Sequence, residues 1–410
     1  KAMPVNLDIN EFEYQLPTEK IAKYPLAERG GSLLLHFDGE GITKQCFSAL
    51  PQLLATDDFL IFNNTKVIQA RLHFVKSTGA VIEVFCLEPY EPSDYGRSFS
   101  SINSCLWKVM VGNLRRWKDE VLCREVIIDG ESTTFEVRYV ERIDNMNHIV
   151  AFSWDNPNIT FARILQYMGE LPIPPYLNRC TAEADMVGYQ TTFAKNLGSV
   201  AAPTAGLHFT EKIISDLHSK GIGSSELTLH IGAGTFQPVK TENIANHTMH
   251  TEIFEVKLDT LYHIMQHLGH IVAVGTTSMR TLESLYYIGC HIKTNRSAPD
   301  LNVSQWEAYD DVCRLSVVEA LQEIIDYLSR EKLKSIIAKT QIMIVPTFRF
   351  RIVDKLITNF HQPRSTLLML VSAFVGSDNM KSIYDFALNN DFRFLSYGDS
   401  SLLHRVNVND

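Results

Sequence analysis

Histidines are the side chains of this sequence best suited to moving protons at neutral pH, and five of those in its second half are candidates for that role. They are His208, His230, His247, His250 and His361. An imidazole titrates near neutral pH, so it can act as a general base or a general acid. The alternative is that some of these rings are hydrogen-bonded residues of the core.

The pair His247 and His250 could instead begin a metal site, because Glu252 follows and two imidazoles with a carboxylate suit zinc. The spacing, however, matches neither H-E-x-x-H nor H-x-x-E-H. Spacing alone therefore favours proton transfer and predicts no resident metal.

Carboxylates and guanidinium groups complete the set of candidates. Glu252, Glu283 and Asp399 could share proton transfer with the histidines. Arg280 and Arg364 lie in or beside the first turn of predicted helices that follow strands, where a cation and open backbone amides suit a carboxylate or phosphate. For either arginine taken singly, the alternative is a surface ion pair.

The predicted elements explain why these side chains should meet. The segments ELTLHIG, IVAVG, LITNF and FRFLS are predicted strands, and polar residues follow each of them. In α/β folds the carboxyl ends of strands are where ligands bind. Glycines are predicted to end two of the following helices, at Gly289 and Gly376. The glycine-bearing loop GAGTF lacks a complete G-x-G-x-x-G, and no P-loop is present, which excludes the common nucleotide-binding classes.

The block from 71 to 159 has a different pattern. The strand-like runs AVIEVFCLEP, LWKVMVGN, EVLCREVII, TTFEVRYVER and HIVAFSW indicate a small antiparallel barrel or sandwich. The expected fold class is α/β, a discontinuous α/β domain of residues 1–70 and 160–410 with an inserted antiparallel β-barrel domain of residues 71–159. Within the insert, Arg115, Arg116 and Lys118 surround Trp117, which suits RNA, although such a run is also typical of a solvated turn.

Residues 290–312 are polar and aperiodic, and an amphipathic helix is predicted after them. Val317, Leu321, Ile324 and Leu328 form its apolar face. Packing of that face on its own domain is favoured over docking on a partner.

Composition narrows the class of protein. The 410 residues are 45% hydrophobic and 21% charged, which is typical of a globular protein of two or three domains. A net charge of −9 repels polyanions, so an RNA partner would need a local basic patch. Seven cysteines without a C-x-x-C pair indicate reduced thiols and a cytoplasmic location. The longest apolar run, 367–375, is too short to span a bilayer, so no membrane association is expected. Composition does not determine the oligomeric state.

Several long strings between Tyr24 and Asp399 form a specific set of motifs. They are YPLAERGGSLLL, FNNTKVIQARL, GYQTTFAKNLGSVAAPTAGLHFT, LHIGAGTFQPV, HTMHTE, VAVGTTSMRTLES, LITNFHQPRSTLLMLVSAFVG and LSYGD. In their sequence and their order along the chain they closely resemble the S-adenosylmethionine:tRNA ribosyltransferase-isomerase family of queuosine biosynthesis. The resemblance covers nearly the whole chain and is weakest in the inserted block and in residues 290–340. The family fold is an α/β domain interrupted by a β-barrel.

The resemblance implies an enzyme that rearranges the ribosyl part of S-adenosylmethionine and attaches it to the aminomethyl group of a 7-deazaguanine base in tRNA. Epoxyqueuosine-tRNA, adenine and methionine are the implied products. S-adenosylmethionine is consumed as a substrate, no other cofactor is expected, and the tRNA anticodon arm is the expected partner.

That chemistry needs a base near the 5′ carbon, which the sulfonium acidifies, and an acid for the departing adenine, in a dry site. The proton-transfer candidates are His208, His230, His250, Glu252, Glu283, His361 and Asp399. The aromatic candidates for the sulfonium are Phe209, Phe236 and Tyr397. Arg280 or Arg364 is the candidate for the methionine carboxylate, and Thr276, Thr277, Asn359 and Ser365 are further substrate-binding candidates. The tRNA candidates are Arg115, Arg116, Trp117 and Lys118.

Some positions depart from the family pattern. CTAEADMVG precedes GYQT where members carry Pro and several charged residues, Gln362 precedes Pro363, and the stretch from Gly289 to Lys339 is longer than usual. These departures leave open a paralogue with another acceptor or an RNA-binding relative without turnover. A metal-dependent hydrolase using His247, His250 and Glu252 is the third alternative.

Overall fold

A computed structural model describes residues 6–232, 239–310 and 312–406 of the chain. The strands are β1 (Leu33–Phe37), β2 (Ile42–Cys46), β3 (Phe59–Asn63), β4 (Thr65–Val67), β5 (Arg71–Val75), β6 (Val81–Glu91), β7 (Ser104–Gly112), β8 (Leu122–Ile128), β9 (Glu131–Arg142), β10 (His148–Trp154), β11 (Asn196–Ser199), β12 (Gly223–Leu229), β13 (Glu252–Lys257), β14 (Ile271–Val274), β15 (Asn302–Val303), β16 (Ser335–Thr340), β17 (Lys355–Asn359) and β18 (Ser400–His404). The helices are α1 (Leu50–Leu53), α2 (Tyr95–Phe99), α3 (Phe161–Met168), α4 (Glu183–Gly188), α5 (Glu211–Ser219), α6 (Leu258–Gln266), α7 (Thr276–Thr294), α8 (Val317–Arg330), α9 (Thr366–Val375) and α10 (Ser377–Asn389).

The chain divides into two compact units. The first takes in the residues up to Thr65, Gly188–Lys195 and the chain from Pro203 onward, and the second takes in Lys66–Val187 and Asn196–Ala202. The sequence placed the inserted domain at residues 71–159. The second unit is longer because α3 packs on its strands, with Phe161 stacked 5.2 Å from Phe152.

A ten-stranded sheet forms the centre of the first unit, in the order β15-β16-β13-β12-β3-β14-β17-β18-β1-β2. Strands β12, β3, β14 and β17 run parallel to one another, whereas β13 and β18 are antiparallel to their neighbours β12 and β17. The carboxyl ends of the four parallel strands therefore lie beside the first residues of β13, β18 and β1. We call this edge of the sheet the strand-end edge.

Apolar side chains form the core of the first unit. All five residues of β3 and all four of β14 are buried, as is typical of strands covered on both faces. Helix α9 ends at Val375, before Gly376 with φ 89°, which confirms the predicted glycine stop.

Helix α7 is longer than the sequence predicted. Its expected end at Gly289 is wrong, because the helix continues to Thr294. Gly289 is instead the point where α8 approaches α7, since a Cβ there would lie 2.2 Å from the Ala320 carbonyl oxygen. The buried Leu321, Ile324 and Leu328 of α8 confirm that its apolar face packs within its own unit.

The second unit contains a six-stranded antiparallel sheet in the order β5-β6-β7-β10-β9-β8. Its two edge strands approach each other, and Arg124 on β8 donates a 3.1 Å hydrogen bond to the carbonyl of His73 on β5. The sheet is therefore a nearly closed barrel, and the predicted fold class is confirmed. Strands β4 and β11 form a separate two-stranded pair.

The cysteines correct one expectation. Cys290 and Cys313 form a disulfide with Cα atoms 6.0 Å apart, because the segment after α7 folds back on the helix end. Cys46, Cys86, Cys105, Cys123 and Cys180 are free thiols. Within the described residues, no helix combines the length and the apolar character needed to cross a bilayer.

Candidate active site

Asn63, the last residue of β3, joins three elements at the strand-end edge. Its side chain accepts from the backbone N–H of Leu229 at 3.1 Å and donates to the Leu229 carbonyl at 3.0 Å. It also donates to the hydroxyl of Thr277 at 3.3 Å. Asn63 is not among the site residues predicted from the sequence, although the polar run that follows the apolar FLIF is a signal for it.

His230 lies next to this joint, directly after β12. Its Nδ1 is 3.1 Å from the hydroxyl of Thr65, and its backbone N–H donates to the carbonyl of Ile253 at 3.0 Å. The ring is partly exposed. His230 therefore lies at the strand-end edge between β3 and β13.

Glu252 and Arg280 form a buried ion pair at the same edge. Arg280 Nη1 donates to Glu252 at 2.6 Å, and the two residues are 7% and 6% exposed. The other guanidinium nitrogens of Arg280, Nε and Nη2, are buried and have no partner among the described residues. A buried guanidinium with two unsatisfied donors is suited to bind an anion such as a carboxylate.

His208 lies further along the edge and is buried, with 7% of its surface exposed. Its Nδ1 is 2.8 Å from Ser32 Oγ and its Nε2 is 3.0 Å from Asn359 Oδ1. Burial lowers the pKa of His208 to about 4, assisted by the nearby Arg393 and Arg29 and opposed by the bond to Asn359. The imidazole is therefore neutral at neutral pH.

The amino end of α7 begins at the strand-end edge, where Gly275 ends β14. Gly275 has φ 91°, a conformation that side chains rarely adopt, and its N–H donates to the carbonyl of Ile357. Thr276 and Thr277 therefore present the first amides of the helix at the edge. Such amides favour an anionic or polar ligand.

A family model described as "Queuosine biosynthesis protein" matches residues 9–403. This chain belongs to that family.

Relatives of known name are similar over nearly their full length. The S-adenosylmethionine:tRNA ribosyltransferase-isomerase of Psychrobacter sp. (strain PRwf-1) is 37% identical over 97% of this chain and 93% of its own length. That of Halothermothrix orenii is also 37% identical, over 97% of this chain and its whole length. The crystal structure of an S-adenosylmethionine tRNA ribosyltransferase from Thermotoga maritima is 27% identical, with a TM-score of 0.45, over 96% of this chain and 99% of that one.

Two carboxylates that were candidates for proton transfer hold the backbone of this family member instead. Glu283 is fully buried and accepts from the N–H groups of 351, 352 and 353 at 3.0–3.1 Å. Asp399 accepts from the N–H groups of Leu33 and Arg393 at 2.8 and 2.7 Å. Burial raises the pKa of both, against the effect of these hydrogen bonds. Glu283 is a correction to the candidate set, because backbone donors occupy both of its oxygens.

The aromatic candidates also differ from expectation. Phe209 is fully buried, with its ring edge-on to Phe47 and Phe62 in the core, so it faces no ligand. Tyr397 is buried and edge-on to Tyr189. Phe236 lies outside the described residues.

The candidates around α9 lie mostly at its amino end. Ser365 caps the helix by accepting from the N–H of Leu368, and the half-exposed Arg364 pairs with Glu13 at 3.7 Å. His361 is bonded to the hydroxyl of Thr358 at 2.9 Å, and burial lowers its pKa to about 4. Ser365, Arg364 and His361 therefore already have structural partners.

The proposed metal ligands do not converge. His250 is exposed, and His247, His250 and Glu252 do not form a group of ligand atoms within 4.8 Å of one another in the described part of the chain. Asp57, Asp58 and His270 do form such a group, but the ammonium of Lys355 lies 2.6 Å from Asp58. The donor geometry thus gives no support to a hydrolase built on His247.

The basic run of the second unit is only partly as expected. Arg115, Arg116 and Lys118 are exposed. Trp117 is 7% exposed, lies edge-on to Tyr139 and donates to the carbonyl of Glu120 at 2.9 Å. Its ring belongs to the barrel core, so its expected role in base stacking is corrected.

We expect the protein to lose stability as the pH falls from 6.5 towards 4. The pKa of His208 and of His361 is about 4 in the folded protein, so in this window the unfolded chain binds more protons than the folded one. The loss reaches at most about 3 kcal/mol for each ring. Urea unfolding at pH 7, 5.5 and 4.5 measures it. His208→Gln should flatten the slope and the exposed His218→Gln should not, whereas identical slopes in all three proteins would contradict the assignment.

Proposed function

We propose that this protein transfers and isomerises the ribosyl part of S-adenosylmethionine onto 7-aminomethyl-7-deazaguanine in tRNA. The products are epoxyqueuosine-tRNA, adenine and methionine. Family membership over residues 9–403 supports the proposal, as do relatives named for this activity that match nearly end to end. S-adenosylmethionine is consumed, the proposal includes no further cofactor, and the setting of the reaction is cytoplasmic.

The single structural observation that carries the proposal is the guanidinium of Arg280, which is buried and has two nitrogens without a partner among the described residues. A buried donor without a partner costs about 1–3 kcal/mol, so a ligand that binds it regains that energy. The carboxylate of the methionine part is an anion of the right size for Nε and Nη2, because Glu252 already holds Nη1. Glu252 therefore orients Arg280 rather than transferring a proton.

Further groups at the strand-end edge support the proposal. The partly exposed imidazole of His230 is a candidate for proton transfer, and the buried, neutral His208 lies further along the edge. Thr276 and Thr277 present helix amides, and Asn359 is buried beside His208. These groups are buried or partly buried, which limits the access of water to the site. A reactive intermediate requires such protection from water.

Adenine should appear when the protein is mixed with S-adenosylmethionine and tRNA that carries the 7-aminomethyl-7-deazaguanine precursor, and only then. Chromatography of free adenine measures this release, and tRNA lacking the precursor is the control. Binding of tRNA without adenine release would instead indicate an RNA-binding relative. Activity that needs stoichiometric zinc and is lost on chelation would indicate a metal-dependent enzyme.

Arg280→Gln should lower kcat/KM for S-adenosylmethionine by about 10- to 100-fold, because a charged hydrogen bond is worth about 1.5–3 kcal/mol. Arg364→Gln is the matched control, since that side chain is half exposed and paired with Glu13. It should stay within about threefold of the unmodified protein. Equal losses in the two variants would show that Arg280 is not the carboxylate ligand.

The tRNA anticodon arm is the proposed nucleic-acid partner, and the second unit carries the proposed contact. Arg115, Arg116 and Lys118 project from one turn beside β7 and are exposed. With a net charge of −9, the chain needs such a local basic surface to hold a polyanion. Trp117 contributes only by packing in the barrel core.

Reversing the charge at Arg115, Arg116 and Lys118 together should weaken tRNA binding by at least about tenfold and make it less sensitive to salt, because each cation releases counterions on binding. The affinity of Arg115→Glu alone should fall below that of Arg138→Glu. Arg138 is an exposed residue of the same unit outside the run. Titrations at two salt concentrations measure both effects, and unchanged affinity in the triple variant would remove this contact.

A further inference from the structure

The order of strands in the first unit locates the reacting carbon relative to Arg280. Glu252, which holds Arg280, begins β13, and the order from there is β13, β12, β3, β14 and β17. Neighbouring strands lie about 4.8 Å apart, so the end of β12 is about 5 Å from β13 and the end of β17 about 19 Å from it. The distance of each histidine from Arg280 can therefore be counted in strands along the strand-end edge.

The distance between the carboxylate and the 5′ carbon of the substrate can be compared with these strand spacings. The carboxyl carbon and the 5′ carbon of S-adenosylmethionine are separated by five single bonds, or about 6–7 Å when extended. A carboxylate bound to Arg280 thus puts the 5′ carbon near the ends of β12 and β3. His230 follows β12 and Thr65 follows β3. His208 is bonded to Asn359 at the end of β17, too far along the edge to reach that carbon.

The hydrogen-bond partners of His208 and His230 also differ. Asn359 Nδ2 donates to the carbonyls of Leu395 and Ser396 at 2.9 and 3.0 Å, so its Oδ1 faces His208 and Nε2 of that ring carries the hydrogen. Ser32 then donates to Nδ1 of the neutral ring. His208 is buried and both of its nitrogens are engaged within the fold. His230 also has a partner at Nδ1, but its ring is partly exposed.

We propose that His230 is the base that removes a proton from the 5′ carbon, and that Thr65 is the residue that positions it. In this step the C–H bond breaks, its electron pair stays on carbon beside the sulfonium, and the proton forms an N–H bond on His230. The inference rests on the proposed function and names the base within it.

The surroundings of Thr65 are rigid, which suits a positioning role. The backbone N–H of Thr65 donates to Asn63 Oδ1 at 3.2 Å, and Thr65 is 1% exposed. Asn63 in turn is bonded to the backbone of Leu229, the residue before His230. The hydroxyl at Nδ1 and the backbone of His230 are therefore fixed through the same asparagine, so the ring has little freedom to turn.

The test follows the loss of deuterium from S-adenosylmethionine labelled with two deuterium atoms at the 5′ carbon, in the presence of precursor tRNA. His230→Gln should slow that loss and adenine release by about 10²- to 10⁴-fold. With the His208→Gln variant, S-adenosylmethionine should still lose deuterium from the 5′ carbon, even if later steps of the reaction are slower. The surface variant His218→Gln is the control for basal activity. Melting curves check folding, and His230→Asn replaces the Gln variant if the latter fails to fold.

Thr65 is tested by removing only its hydroxyl. Thr65→Val should lower kcat by at least about tenfold with little change in KM for S-adenosylmethionine, and Thr65→Ser should restore kcat to within about threefold. Equal kcat values for the folded Val and Ser variants would overturn the positioning role.

The outcomes separate this inference from the proposed function. Deuterium loss at the normal rate in His230→Gln, with adenine still released by the unmodified protein, would refute His230 as the base and leave the function standing. No adenine from the unmodified protein would refute the function itself.

Discussion

The site depends on one constraint of parallel sheets: strands that run the same way leave their last carbonyls and the following amides at one common edge. Those groups have no neighbour in the ladder, so side chains must satisfy them. Asn63 does this for β3 and β12 together, by bonding both backbone groups of Leu229 and the hydroxyl of Thr277. Because one amide ties two strands to the first turn of α7, the polar groups of the edge hold fixed positions, which is the preorganisation that catalysis requires.

Buried charge is used in two different ways in the first unit. Glu283 is saturated by three backbone amides, so its role ends with holding residues 351–353. Arg280 is also buried, but within the part of the chain that the structure describes two of its nitrogens have no partner. Both arrangements carry a desolvation cost, but only the second leaves part of that cost to be recovered by a ligand. The number of partners a buried charge retains, more than its residue type, therefore distinguishes a structural group from a binding group.

Patterns among neighbouring residues predicted those structural features that depend on neighbouring residues alone. The ends of β14 and β17, the stop of α9 at Gly376 and the buried face of α8 all follow from neighbours in the chain, and all are present. The strand predicted at FRFLS is wrong, because only Phe394 of that segment makes an isolated bridge and β18 begins at Ser400. Features that depend on distant contacts were not predictable. Gly289 marks a close approach of α8 rather than a helix end, Trp117 packs into the barrel, and Cys313 meets Cys290 only after the chain folds back. Nor could the sequence rank the histidines, because strand order and depth of burial separate them.

The same strand order gives the proposed substrate a direction. With the carboxylate at Arg280 and the 5′ carbon at His230, the ribose and adenine extend along the edge past Gly275 towards Asn359 and His208. The remaining distance, two strands from β3 to β17, is about 10 Å, close to the length of a nucleoside. His208 at that far end is neutral and bonded on both sides, so it maintains the shape of the adenine end rather than supplying a charge. The general base and the departing adenine are thereby placed at opposite ends of the ribose, so the proton that His230 takes from the 5′ carbon is not passed directly to adenine.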